Sequence, residues 1–240
     1  MRGVIRFLVH LCILFPALQS SVALAQVIRM PGDYAPTVFP ANDDQSVGPV
    51  GIGFTINYFG LSTNQLWVNN NGNVTLTAPL GTFTPFDLTS TAIPIIAPYF
   101  ADVDTRGAGS GLVNYGNGTV SGRPAFLVNW PQVGYYASNT DRLNTFQLVI
   151  INRDDRNPED FDFEFNYAQI QWETGDASGG TGGVGGSSAR AGFSNGTGDP
   201  GTFFEIAGSA VPGAFLDTNG ATGLINASNI GLPVVSQFEI

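Results

Sequence analysis

Asp102-Val103-Asp104-Thr105-Arg106-Gly107 places two aspartates one residue apart at the mouth of a glycine turn. Alternate carboxylates can aim oxygens at one hard cation, and an oxygen-only set of this kind suits calcium. Measured against the EF-hand loop, the first, third and sixth positions fit. Arg106 stands fifth, where an oxygen ligand belongs, and Val113 stands twelfth, where a bidentate glutamate belongs. The segment is not an EF-hand. Asp102 and Asp104 remain calcium candidates outside that motif, beside a plainer reading in which Arg106 neutralises an aspartate at a strand end.

A second acidic pair, Asp162 and Glu164, has a spacing close to that of the paired carboxylates of glycoside hydrolases. Such chemistry needs an enclosed cleft and one carboxyl with a raised pKa, and an exposed strand face supplies neither. Trp67, Trp130 and Trp172 have the ring area to stack on sugars, but they lie inside strand patterns and are expected in the core. Tyr135 and Tyr136, in the stretch VGYY after Pro131, are the candidates for a ligand surface; the alternative is that both cap a sheet edge.

The residues that are missing narrow the chemistry further. The first residues, MRGVIRFLVHLCILFPALQSSVALA, have two arginines, an apolar run from Phe7 to Leu18 and a small-residue ending, the pattern of a secretory signal cleaved after Ala25. The run is shorter than the roughly 20 apolar residues of a membrane span. Cleavage would remove the chain's only cysteine and only histidine, and no lysine occurs anywhere. A Ser-His-Asp triad, a thiolate nucleophile, an ordinary zinc site and a Schiff base are thereby excluded from residues 26–240. Carboxylate chemistry or a hard cation held by oxygens is what remains. Seven arginines against 19 acidic residues leave −12 on the processed chain, which argues against nucleic acid and anionic lipid as partners.

The elements that must hold these residues read as short strands. The chain carries 31 glycines, 15 prolines and 18 phenylalanines and has no long helical periodicity. Leu66–Asn69 and Asn73–Leu76 flank Asn70-Asn71-Gly72, whose Asn-Gly pair accepts the positive φ of a hairpin turn. Ala125–Trp130 and Phe146–Ile151 read as central strands buried on both faces. In FDFEFNY, Phe161, Phe163, Phe165 and Tyr167 form one face and Asp162, Glu164 and Asn166 the other, so the first is expected in the core and the second in water. The apolar phase shifts to Ile170 and Trp172, which predicts a β-bulge near Ala168-Gln169. ETGDASGGTGGVGGSSARAGF reads as a flexible surface loop, and Thr202–Ile206 and Val234–Ile240 as closing strands.

In that order, LWVNNNGNVTL, PIIAPYFADVDTRGAGSGLVNY, FLVNWPQVGYY, NTFQLVI, FEFNYAQIQWETGDASGG, ARAGFSNG and GSAVPGAFLD resemble the nidogen-like (NIDO) domain family. The resemblance covers about residues 54–240, after a signal at 1–25 and a leading segment at 26–53. It implies an extracellular, non-enzymatic module associated with cell–matrix or cell-surface adhesion. The expectation is thus a secreted, all-β, two-sheet sandwich with long glycine-rich loops, without a cofactor unless calcium binds, and not inserted in a membrane. Its partner would be an extracellular matrix protein or a glycan. The alternative is a calcium-dependent carbohydrate-binding or matrix-structural protein, with a carboxylate hydrolase third.

Overall fold

The Asn70-Asn71-Gly72 turn forms as its chemistry requires. Asn69 pairs with Asn73, and Gly72 has φ +75° with Tyr99 N–H donating to its carbonyl. Around this hairpin the computed structural model, which describes residues 27–229 and 237–239, builds two antiparallel sheets. The expected signal at 1–25 lies outside the described residues.

In chain order the strands are β1 (Thr37–Val38), β2 (Ser46–Tyr58), β3 (Leu61–Asn69), β4 (Asn73–Thr75), β5 (Ile95–Phe100), β6 (Val103–Asp104), β7 (Asn114–Val120), β8 (Arg123–Tyr135), β9 (Asn139–Asn152), β10 (Phe161–Gln169), β11 (Arg190–Ser194), β12 (Phe203–Glu205) and β13 (Gln237–Glu239). One sheet runs β1-β7-β8-β9-β10-β13, with β6 paired to the far end of β8. The other runs β12-β11-β5-β4-β3-β2. Alternation along each strand puts Phe126, Val128, Trp130, Phe146, Leu148, Ile150, Phe163, Phe165 and Tyr167 of the first sheet into one core with Ile52, Ile56, Leu66, Val68, Val74 and Ile96 of the second. The all-β two-sheet reading holds.

Both long central strands are buried on both faces because loops cover the outer sides. Leu127, Val149 and Ile151 lie with Tyr34 on the outside of the first sheet, and Leu88, Ile95 and Phe100 lie with Phe86 on the outside of the second. The bulge in β10 falls between Tyr167 and Gln169, as the phase shift requires.

The expected wet face of β10 is a correction. Glu164 is 2% exposed and Asn166 is buried, because the segment before β1 crosses this face. Arg29 grips Glu164 through Nε and through Nη2 at 2.7 Å, while its backbone N–H donates to Gln147 Oε1 at 2.9 Å. Gln147 continues the line by donating to Asn129 Oδ1 at 2.6 Å. The long glycine-rich stretch is also folded back on itself. Glu173 N–H donates to the Gly183 carbonyl, Ser187 N–H to Ser178, and Thr174 Oγ1 to Gly185 at 2.7 Å. Among the described residues no helix is long and apolar enough to cross a membrane.

Candidate functional site

Asp102 sits where the chain leaves one sheet for the other, between β5 and β6. The crossing is stitched to the asparagine turn. Ala101 N–H donates to the Asn71 carbonyl at 3.3 Å, and Val103 N–H to Asn71 Oδ1 at 2.9 Å. The Asn71 amide donates in turn to Asp44 Oδ1 at 2.8 Å. Asn70 donates from Nδ2 to the carbonyls of Val103, at 2.5 Å, and of Asp43, and its own carbonyl accepts Trp130 Nε1 at 2.9 Å. The Asn42–Gln45 segment, the turn and the crossing thus meet at one end of the sandwich.

Their meeting gathers carboxylates. Oxygens of Asp43, Asp44 and Asp102 lie within 4.8 Å of one another. Asp104 stands beside this group but is otherwise engaged. Arg106 donates to it from its backbone at 2.9 Å, from Nε at 2.9 Å and from Nη2 at 2.7 Å, and Ser138 N–H adds a bond at 2.7 Å. Burial alone would push the Asp104 carboxyl up, yet these bonds hold it below the usual carboxylate range. The same guanidinium reaches Asp43 Oδ2 at 2.7 Å. Burial, with the charges of Asp104 and Asp44 behind it, still lifts Asp43 to about 6.

Four carboxylates are buried among the described residues: Asp102, Asp104, Glu164 and Glu173. Glu164 has Arg29, and Glu173 accepts Phe215 N–H at 2.7 Å, Ser188 Oγ at 3.1 Å and Gly213 N–H. Asp102, at 1% exposure, has no hydrogen-bond partner on either oxygen. Burial first, then the charges of Asp43, Asp44 and Asp104, pushes its carboxyl up to about 8. Nothing larger than glycine fits above it, since a Cβ on Gly175 would strike Asp102 Oδ2.

The Nidogen-like domain family matches residues 64–240, a span from β3 to the last strand that includes the turn, the crossing and the glycine-rich loop. The chain belongs to that family. Mouse alpha-tectorin is 33% identical over 198 residues, which is 72% of this chain and 9% of that protein. Fruit-fly nidogen is 28% identical over 211 residues, 77% of this chain and 14% of that protein. This nidogen-like chain therefore spans about a tenth of such relatives. No solved structure matches it significantly.

Within the nidogen-like fold the remaining candidates separate. Trp130 stacks on Phe146 with centroids 5.0 Å apart, and Trp172 donates from Nε1 to the Val133 carbonyl at 3.0 Å; both are in the core, while Trp67 is half-buried. Tyr135 is 1% exposed, packed on Trp172 at 5.4 Å with its hydroxyl on Asp141 Oδ1 at 2.8 Å, so its ring belongs to the core and not to an open surface. Tyr136 is half-buried at the β8–β9 turn, and its N–H donates to the Asp102 carbonyl at 3.2 Å. Asp162 lies against Arg153 and, at 2.6 Å, Arg156, so it and Glu164 are each held by arginine. Asp43 and Asp44 escaped the sequence reading, and Asn70 and Asn71 enter it only as a hairpin turn. The available signal was three successive asparagines, where a hairpin turn asks for one Asn-Gly pair.

Proposed function

We propose that this chain is a non-enzymatic extracellular module that binds a matrix protein or a glycan at or outside the cell surface. The observation that carries the reading is the nidogen-like match over residues 64–240, which takes in every strand after β3. A family associated with cell–matrix adhesion, a leader of the secretory type and a chain of strongly negative charge all fit an exported protein with an electrically acidic surface. The surface we assign to the partner is the β8–β9 turn at Tyr136, the half-buried tyrosine at the acidic end of the sandwich. Calcium-dependent glycan binding is the second reading, favoured by the carboxylate cluster that contains Asp102, whose carbonyl accepts the Tyr136 N–H.

The test is surface plasmon resonance of the purified protein against a panel of matrix proteins and glycans, run with calcium and with chelator. Saturable binding that falls about tenfold in Tyr136→Ala, the loss of one aromatic anchor, is expected. Binding to nothing on the panel, or turnover of a polysaccharide, would refute the adhesive reading.

A further inference from the structure

Buried unpaired charge is costly enough that proteins pair it, neutralise it or place it on a metal. Asp102 shows no pairing and no room for a cation side chain, and neutralising it would still leave its O–H and its second oxygen without a hydrogen bond. The guanidinium nearest to it, Arg106, is bonded to Asp104 and Asp43, and each of the other six described arginines is engaged by a carboxylate elsewhere. Besides the two oxygens of Asp102, Asp43 Oδ1 and Asn70 Oδ1 are buried without a hydrogen bond. Neither Asn70 nor Asp43 can be turned to relieve this. The Asn70 amide nitrogen is committed to carbonyl groups, and the second oxygen of Asp43 is committed to Arg106.

We propose that Asp43, Asp44 and Asp102 form a calcium site closed by the Asn70-Asn71-Gly72 turn, with Asp104 and Arg106 holding Asp43 in place from outside. The donors are all hard oxygens, the preference of calcium and magnesium and not of zinc or copper. A mutual spacing within 4.8 Å is what oxygens on one ion at about 2.4 Å would have. Calcium tolerates the irregular geometry that three loops provide, whereas magnesium demands a regular octahedron, so calcium is the ion assigned. Asp104, the other aspartate of the ADVD segment, acts as a positioning residue because both its oxygens are already engaged by Arg106 and Ser138. The ion would add a tie among three segments that already hydrogen-bond to one another: Asn42–Gln45, the hairpin turn and the sheet crossing. This inference stands on the pocket alone, whether or not the module's partner is found.

The experiment is thermal unfolding and titration calorimetry of the purified protein, stripped with chelator, against calcium chloride and magnesium chloride. One saturable calcium site is expected, with a rise in Tm of about 5–10 °C at a hundred times Kd and a smaller rise with magnesium. Asp102→Asn should unfold no earlier than the stripped wild type, since neither carboxyl oxygen has a hydrogen bond to lose, and should lose the calcium increment. Asp44→Asn, at a half-buried position, serves as the second variant and should weaken calcium at least tenfold. No heat and no shift at 10 mM calcium, about ten times the weakest Kd of extracellular modules, would overturn the site. So would a shift that Asp102→Asn and Asp44→Asn both retain.

Discussion

A glycine can be demanded by its dihedral angles or by the space around it, and the two demands separate in this chain. Gly72 has φ +75°, and a Cβ there would fall on the Tyr99 carbonyl oxygen; Gly60 has φ +95° with nothing near. Gly60→Ala should cost about 1–2 kcal/mol, the penalty of a left-handed alanine. Gly72→Ala must also push the turn away from the Tyr99 backbone and should cost at least twice that, read as urea midpoints; equal losses would show that the turn relaxes freely. Core volume follows a similar logic. Phe165 is fully buried against Phe163, so Phe165→Ala should cost about 3–5 kcal/mol in chemical denaturation, and a loss below 1 would put the wrong face inside. Local chemistry of this kind was legible in the sequence. The Asn-Gly turn, the two doubly buried strands and the bulge after Tyr167 each depend on a few adjacent residues.

At the scale of elements the reading ran out where partners are distant. The alternation of β10 correctly assigns Phe163, Phe165 and Tyr167 to the core, but it cannot reveal that residues near Arg29 will cover Glu164. Nor could spacing reveal that Asp102 meets Asp43 and Asp44, because the ADVD segment offers Asp104 as the obvious neighbour and the fold supplies the others from before β2. Arg29→Ala should expose this dependence. It leaves Glu164 buried without its cation, and since Arg29 is a third exposed, a cost of about 1–3 kcal/mol is expected, less than for a fully buried pair. Adding Glu164→Gln should recover part of that loss; a double-mutant cycle with no coupling would show that Arg29 only packs.

Across the whole molecule, every arginine among the described residues lies within 4.0 Å of a carboxylate, so positive charge is spread over the fold and not displayed as a patch. Arg123 and Arg153 both bind Asp155 and hold its carboxyl well below the usual range. A carboxyl depressed in the folded state contributes stability above its unfolded pKa of about 3.9 and loses it as pH falls below that value. The gap in urea midpoint between wild type and Asp155→Asn should therefore be present at pH 5, shrink toward pH 2.5, and shrink with added salt because the groups are exposed. A gap indifferent to pH would assign Asp155 no electrostatic part.

The strap that crosses β10 also fixes an order of events. Arg29 finds Glu164 across 135 residues of sequence. A chain emerging from the ribosome, or threading a translocation channel with its first residues leading, carries that segment without a surface to dock on until β8, β9 and β10 have followed. Contacts between such remote segments close late, after the local hairpins. The segment around Arg29 is thus among the last of the described parts to settle.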